Sequence, residues 1–197
     1  MSKIVVVEGP DRVGKQTQTN LLKNYIESLG LRAKIVEVPI RSAVTYKVVY
    51  WMLHNGLAKK FPKIFQCLQY LNRKVFQIFA LPRLEQENDV IILDRWSLST
   101  VVYGGAEGVS ENFAIGLMRR LREPDHTIIL LGESFPHEAE DAYEADSDLQ
   151  KKVRIGYASW AASNPESTTL VNCHQAREDI LKKIKVTLED KGIIPRW

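Results

Sequence analysis

Glu8-Gly9-Pro10-Asp11-Arg12-Val13-Gly14-Lys15-Gln16-Thr17 concentrates the residue types that handle phosphate. A glycine-bounded loop ending in lysine presents successive backbone N–H groups, and the lysine adds a point charge beside them. Gly9, Pro10, Val13, Gly14, Lys15, Gln16 and Thr17 are therefore expected to cradle the phosphates of a nucleotide. The pattern carries meaning only between a strand and a helix. Lys3 to Glu8 is a β-branched apolar run, too short for a helix and suited to a buried parallel strand. Thr17 to Leu29 reads as an amphipathic helix. A plain glycine turn is the alternative, and these two flanks argue against it. One position departs from the pattern. The residue after the lysine is ordinarily Ser or Thr, whose hydroxyl binds Mg²⁺, and here it is Gln16. Thr17 lies one place late, about 100° around the helix, and cannot replace it.

The elements that must hold this loop alternate along the chain, short apolar runs with longer helical patterns, as in an α/β parallel sheet. Strands are expected at Ile4–Glu8, Ala33–Val38, Val90–Asp94, Thr127–Leu131 and Thr168–Asn172. Helices are expected at Lys15–Leu29, Ala43–Asn55, Pro62–Glu87, Glu111–Leu121, Ser147–Ser163 and Gln175–Asp190. Gly30, Asn55-Gly56 and Gly192 mark helix ends, and Pro62 suits a helix start. No linker, repeat or low-complexity stretch divides the 197 residues, so one domain is expected. Gly132 to Asp146 is acidic, weakly periodic and follows a strand end, where open sheets place ligands and covers. It reads as a lid segment or as a solvated surface loop.

A formal charge of +3, with no basic block longer than a pair, argues against a dedicated nucleic-acid binder. Cys67 and Cys173 form no metal or redox pattern and read as core thiols in a reducing compartment. Ile64 to Leu81 is the most apolar long stretch, and its six interspersed Gln, Asn, Arg and Lys residues exclude a membrane span. The chain opens directly on a strand, which predicts no signal peptide and a cytoplasmic protein.

Asp94-Arg95 closes the strand Val90 to Leu93, where a carboxylate reaches a metal beside the loop and an arginine reaches a phosphate. Ser97-Leu98-Ser99-Thr100-Val101-Val102-Tyr103-Gly104-Gly105 follows. With that segment the chain resembles the thymidylate kinase family nearly end to end. The family's opening motif is matched by Glu8 to Gln18 except at Gln16, its Pro-x-Arg by Pro39-Ile40-Arg41, and its helical Asn-Arg by Asn72-Arg73. Its Asp-Arg-aromatic and Ser-rich segment is matched by Asp94 to Gly105, its Pro-Asp by Pro124-Asp125, and its lid end by Tyr143-Glu144. In one family variant the catalytic arginine lies in the P-loop, and in the other basic lid residues take its place. Arg12 is in the P-loop here and the lid contains no Lys or Arg, so the chain resembles the P-loop-arginine variant.

The resemblance implies a three-layer P-loop fold, a central parallel five-stranded sheet flanked by helices, with ATP-dependent phosphorylation of a deoxynucleoside monophosphate such as dTMP. Phosphoryl transfer of this kind requires two anions held in line and the developing charge neutralised. Arg12 and Lys15 would hold the donor's terminal phosphates. Arg41 and Arg95 would hold the acceptor phosphate with planar forks, and Asp94 would position Mg²⁺. Arg12, Lys15 and Arg95 are thus the catalytic candidates. By resemblance, Asp11 contacts the 3′-hydroxyl, Arg73 the pyrimidine edge, Ser99 lies beside the base, Tyr103 packs under the sugar, and Tyr143, at the lid end, is a further substrate-binding candidate. Solvated faces for Arg41 and Arg73, and a core position for Tyr103, are the plainer alternatives. The family also implies a possible homodimer, and core burial explains the apolar helix at Pro62–Leu81 equally well.

Gln69 stands where the family commonly stacks an aromatic on thymine, with Phe65 and Tyr70 expected to point elsewhere on the helix. Losing that partner weakens thymine binding by roughly 1 kcal/mol, or signals a different or modified pyrimidine. The arginine that often lies over adenine is absent too. Two further readings follow: a deoxynucleoside kinase with Glu8 as base, and a catalytically weak nucleotide-binding protein.

Overall fold

The computed structural model describes residues 2–41, 45–135, 143 and 146–196. Five strands, β1 (Lys3–Glu8), β2 (Ala33–Glu37), β3 (Val90–Asp94), β4 (His126–Leu131) and β5 (Thr168–Asn172), form one parallel sheet in the order β2-β3-β1-β4-β5. β1 therefore lies at the centre, with Val7 paired to Asp94 on one side and Ile128 on the other. The loop leaving its C-terminal end opens where α/β sheets place their ligands. All five expected strands are present, within one residue at each end.

The helices are α1 (Lys15–Ser28), α2 (Tyr46–His54), α3 (Leu57–Lys60), α4 (Pro62–Phe79), α5 (Leu81–Glu87), α6 (Ser97–Ala106), α7 (Glu111–Met118), α8 (Ser147–Ser163) and α9 (Arg177–Asp190). Side chains alternate across the sheet and build a core on both faces. Val5, Val7 and Ile92 pack with Leu22 and Ile26 of α1 and Ile184 and Leu188 of α9. Ile4, Val6 and Ile91 face the other way, toward Phe76, Leu81 and Trp96. Full burial of each such side chain contributes about 1.5–3 kcal/mol, so these layers fix the strand ends that carry the loop.

The structure corrects the sequence reading in four places. The helix expected over 62–87 is two helices broken at Ala80, because Pro82 lacks the N–H and crowds the carbonyl a turn earlier, and so suits the first turn of α5 instead. α3 and α6 were not in the expected set. α6 holds two adjacent glycines and a valine pair, poor helix formers, and is supported from outside by the Glu8 carboxylate. Cys67 is exposed, and only Cys173 is a core thiol. The expected start of the second helix at Ala43, and most of the 132–146 segment, lie outside the described residues. Among the described residues no helix is long and apolar enough to cross a membrane.

Candidate active site

Gly9 adopts φ +144°, and a Cβ there would sit 2.2 Å from the Leu130 carbonyl oxygen. Only glycine lets the loop pass this close to β4. Gly14 caps α1 at φ 83° with no side-chain hydrogen bond, and the first turn of α1 carries no acidic residue. The helix N-terminus thus keeps its partial positive charge, the condition for binding an anion. Arg12 and Arg95 are the non-glycine residues with positive φ among the described residues, at 60° and 68°. Such backbone costs about 1–3 kcal/mol and persists where the surroundings over-determine it, often at functional sites. Both catalytic arginine candidates are held this way.

The loop's charges form one network. Lys15 is buried and donates to the Pro10 carbonyl oxygen at 2.6 Å. Burial, with Arg95 nearby, brings its amine down to about 8, against the pull of Asp11, Asp94 and Glu8. Asp11 is ion-paired to Arg95 and accepts hydrogen bonds from the Tyr103 hydroxyl at 2.7 Å and Gln150 Nε2 at 2.8 Å. Burial raises the Asp11 carboxyl, but Arg95, Lys15 and the two hydrogen bonds outweigh it and hold the group at about 2. Arg95 also donates from Nη1 to the Gly9 carbonyl oxygen at 3.0 Å, and its guanidinium lies 5.2 Å from the Tyr103 ring centroid.

Beyond this network lies a cavity of about 200 Å³, bounded by Asp11, Arg95, Tyr103, Ser99, Thr100, Phe65, Gln69, Arg73 and Tyr143, among others. Within its lining, Arg73 is 3% exposed. Burial lowers its guanidinium to about 10, so it stays charged at neutral pH. Nη1 donates to Gln69 Oε1 at 3.2 Å, while Nε has no partner among the described residues. Thr100, 2% exposed, has an equally unpartnered hydroxyl. Buried polar groups of this kind are ordinarily paired, by water or by a ligand with matching polar atoms. Phe65 lines the same cavity as Gln69, one helical turn before it, so the expectation that Phe65 points elsewhere is corrected. Tyr70 does pack elsewhere, against the core beside Phe76 and Trp96.

The family model for thymidylate kinase matches residues 7–184. The chain belongs to the thymidylate kinase family. It is 28% identical to the thymidylate kinase of Chlamydia felis, over 91% of this chain and 94% of that one. It is 27% identical to a probable thymidylate kinase of Thermococcus gammatolerans, over 97% and 98%. Among solved structures, thymidylate kinase from Candida albicans superposes with a TM-score of 0.79 at 22% identity, covering 98% of this chain and 93% of that one. The Ehrlichia chaffeensis enzyme gives 0.74 at 20% identity, covering 95% and 98%. These likenesses establish the fold, and the family makes the chain a nucleotide phosphotransferase.

Within this thymidylate kinase fold, not every sequence candidate meets at the cavity. Pro39 lines it, but Arg41, two residues on, does not. The Arg41 side chain is 76% exposed and pairs with Glu37 at 3.5 Å. Solvent and that carboxylate satisfy a charge whose unpaired burial would be costly. Gln16 and Thr17 are exposed on the first turn of α1, and Asp94 is half-buried at the end of β3. No group of three His, Cys, Asp or Glu is arranged to hold a metal among the described residues. This donor set suits a cation carried in on nucleotide phosphates better than one caged by protein.

Sequence reasoning missed Thr100, Gln150 and the role of Glu8. Glu8 is fully buried, and its two oxygens accept from Trp96 N (2.8 Å), Ser99 N (3.2 Å), Ser99 Oγ (2.7 Å) and the Tyr157 hydroxyl (2.7 Å). It supports the start of α6 and leaves no lone pair for a base. That occupation removes the residue on which the deoxynucleoside kinase reading stood. Thr100 follows Ser99 in the Ser-rich segment and was open to notice. Gln150 sits in the first turn of α8 without a motif, and only the fold brings it to Asp11.

Proposed function

We propose that this chain transfers the terminal phosphate of ATP to dTMP in the cytoplasm, as a single P-loop kinase domain. The observation that carries the reading is the cavity itself. Its lining brings the buried Arg73 guanidinium and the unpartnered Thr100 hydroxyl together with Asp11 and Arg95, and Arg95 also donates to Gly9 of the loop that leads into the uncapped α1. This set of polar groups suits a nucleotide that offers both a pyrimidine edge and a phosphate. Arg73 and Thr100 would bind the base edge, Ser99 and Gln69 would flank it, and Asp11 would take the sugar 3′-hydroxyl.

Arg95, now shared between Asp11 and the loop, would turn its fork to the acceptor phosphate, with Arg41 able to swing in from solvent. Gly9 to Gly14, Lys15, Gln16 and Thr17 would hold the donor phosphates, with Arg12 and Lys15 neutralising the charge that develops between them. An acceptor phosphate oxygen is already a nucleophile, so the site needs no base, in keeping with the full occupation of Glu8. Asp94 would hold Mg²⁺, with Gln16 offering at most an amide oxygen; the ion supplies charge neutralisation on the donor phosphates when bound. Because a neutral amide replaces the usual hydroxyl, the Mg²⁺ concentration for half-maximal rate should fall in Gln16→Ser. An unchanged Mg²⁺ dependence would clear Gln16 of that effect.

The sugar gives the test of the acceptor reading. The Tyr103 ring is fixed by its hydroxyl on Asp11, by Arg95 over its face and by Tyr143 stacked at 5.9 Å. A ribose 2′-hydroxyl against this ring must displace it or lie unpaired, a penalty of about 1–3 kcal/mol. dTMP should therefore be preferred over ribothymidine monophosphate by about five- to 150-fold in kcat/KM, and Tyr103→Ala should erase the preference. Phosphorylation of neither monophosphate overturns the reading, and a preference that survives the substitution removes Tyr103 from the role. For assembly we propose a homodimer through the exposed stripe Ile64, Leu71 and Ile78, spaced by seven on α4.

A further inference from the structure

We propose that Glu107 is a positioning residue for the acceptor: it holds Tyr143 in place as a wall of the cavity and so sets acceptor affinity without touching the acceptor. The inference rests on the reading of this cavity as the acceptor site.

Tyr143 is buried and lines the cavity between two other rings. It lies parallel to Tyr103, 5.9 Å apart and tilted by 9°, and meets Phe65 edge to face at 5.8 Å. Ring contacts alone leave such a side chain free to slide in its plane, since aromatic pairs have broad, shallow minima. Hydrogen bonds at both polar ends of the residue remove that freedom. The hydroxyl donates to Glu107 Oε1, and the carbonyl accepts from Gln150 Nε2 at 3.1 Å. The same Gln150 amide donates to Asp11 Oδ2 at 2.8 Å, so the wall is tied to the loop carboxylate.

Glu107 follows directly on α6, the helix that carries Ser99, Thr100 and Tyr103. Its bond to Tyr143 therefore locks the wall to the helix forming much of the rest of the cavity. Glu107 is not itself among the lining residues, so its influence on a ligand passes through Tyr143. Burial raises its carboxyl to about 7, against the pull of Tyr143, Gln66 and Lys59. Lys59 is paired at 2.8 Å with Asp146, which also caps α8. A half-buried carboxyl set against a tyrosine hydroxyl is costly to place there, and a solvated surface acid would show no such arrangement.

The test uses the full chain with steady-state kinetics in both substrates. Glu107→Ala and Tyr143→Phe should each raise KM for dTMP about three- to tenfold, the range of one lost hydrogen bond. KM for ATP should stay within roughly twofold, since only acceptor binding is affected. Glu107→Gln, which keeps an oxygen acceptor for the hydroxyl, should restore the parent value. The double variant should be no worse than either single one, because both remove the same bond. Tyr143→Phe deletes one hydroxyl and keeps the ring, so it serves even where Glu107→Ala folds poorly. Unchanged KM for dTMP in Tyr143→Phe, equal losses in both substrates, or additive effects in the double variant would overturn the inference while dTMP turnover by the parent left the acceptor reading standing. A parent that neither binds nor phosphorylates dTMP would overturn the acceptor reading, and this inference with it.

Discussion

Lys15→Ala is expected to lower kcat for phosphoryl transfer by about 10²–10³-fold, the range for deleting one preorganised charge that stabilises a transition state. The lysine is buried, its ammonium is poised over the loop on the Pro10 carbonyl, and the α1 N-terminus beside it has no side-chain cap. Alanine removes the point charge and leaves the N–H cradle, so ATP should still bind while transfer fails. Burial holds the amine at about 8, so the charge is present below that pH and is lost as pH rises through it. Affinity of the free protein for ATP should fall over the same window, and Lys15→Ala should lack that dependence. Single-turnover rates at saturating ATP and dTMP read the first effect. A kcat within tenfold of the parent would remove Lys15 from the catalytic role.

Glu8→Ala should produce the largest loss of stability, on the order of 3–5 kcal/mol, because it strands several buried donors at once. Both backbone N–H groups at the start of α6, the Ser99 hydroxyl and the Tyr157 hydroxyl all lose their acceptor. For a chain of this size that loss lowers the thermal midpoint by about 10 °C. Glu8→Gln keeps one oxygen and the shape, and should cost less. A Glu8→Ala variant of parent-like stability with abolished turnover would instead restore Glu8 to the chemistry.

What could be read from the sequence was local. The strand Lys3–Glu8, the glycine spacing and the helix behind it are neighbours in the chain, so their patterns survive without knowledge of the fold. The ends of β3 and β5 were legible for the same reason: short apolar runs bounded by turn residues. The cavity was less so. Arg73 reads as an ordinary helical arginine until α4 packs against α6 and buries it, and Thr100 reads as one more residue of a Ser-rich segment. Gln150 reaches Asp11 across 139 positions, which no local spacing encodes. Phe65 was misread in direction, although its four-residue spacing from Gln69 puts both on one face. Arg41 shows the converse, since its motif spacing points to the phosphates while its side chain takes solvent and Glu37.

The assignment of a phosphate, and not a sugar hydroxyl, as the acceptor follows from the full occupation of Glu8 and from Arg95 lining the cavity beside Asp11. One mixture decides it: the protein with Mg²⁺, γ-labelled ATP, and dTMP and thymidine at equal concentration, with products separated by chromatography. Label appearing in dTDP and absent from dTMP is the expected result. Label accumulating first in dTMP, made from thymidine, would contradict it.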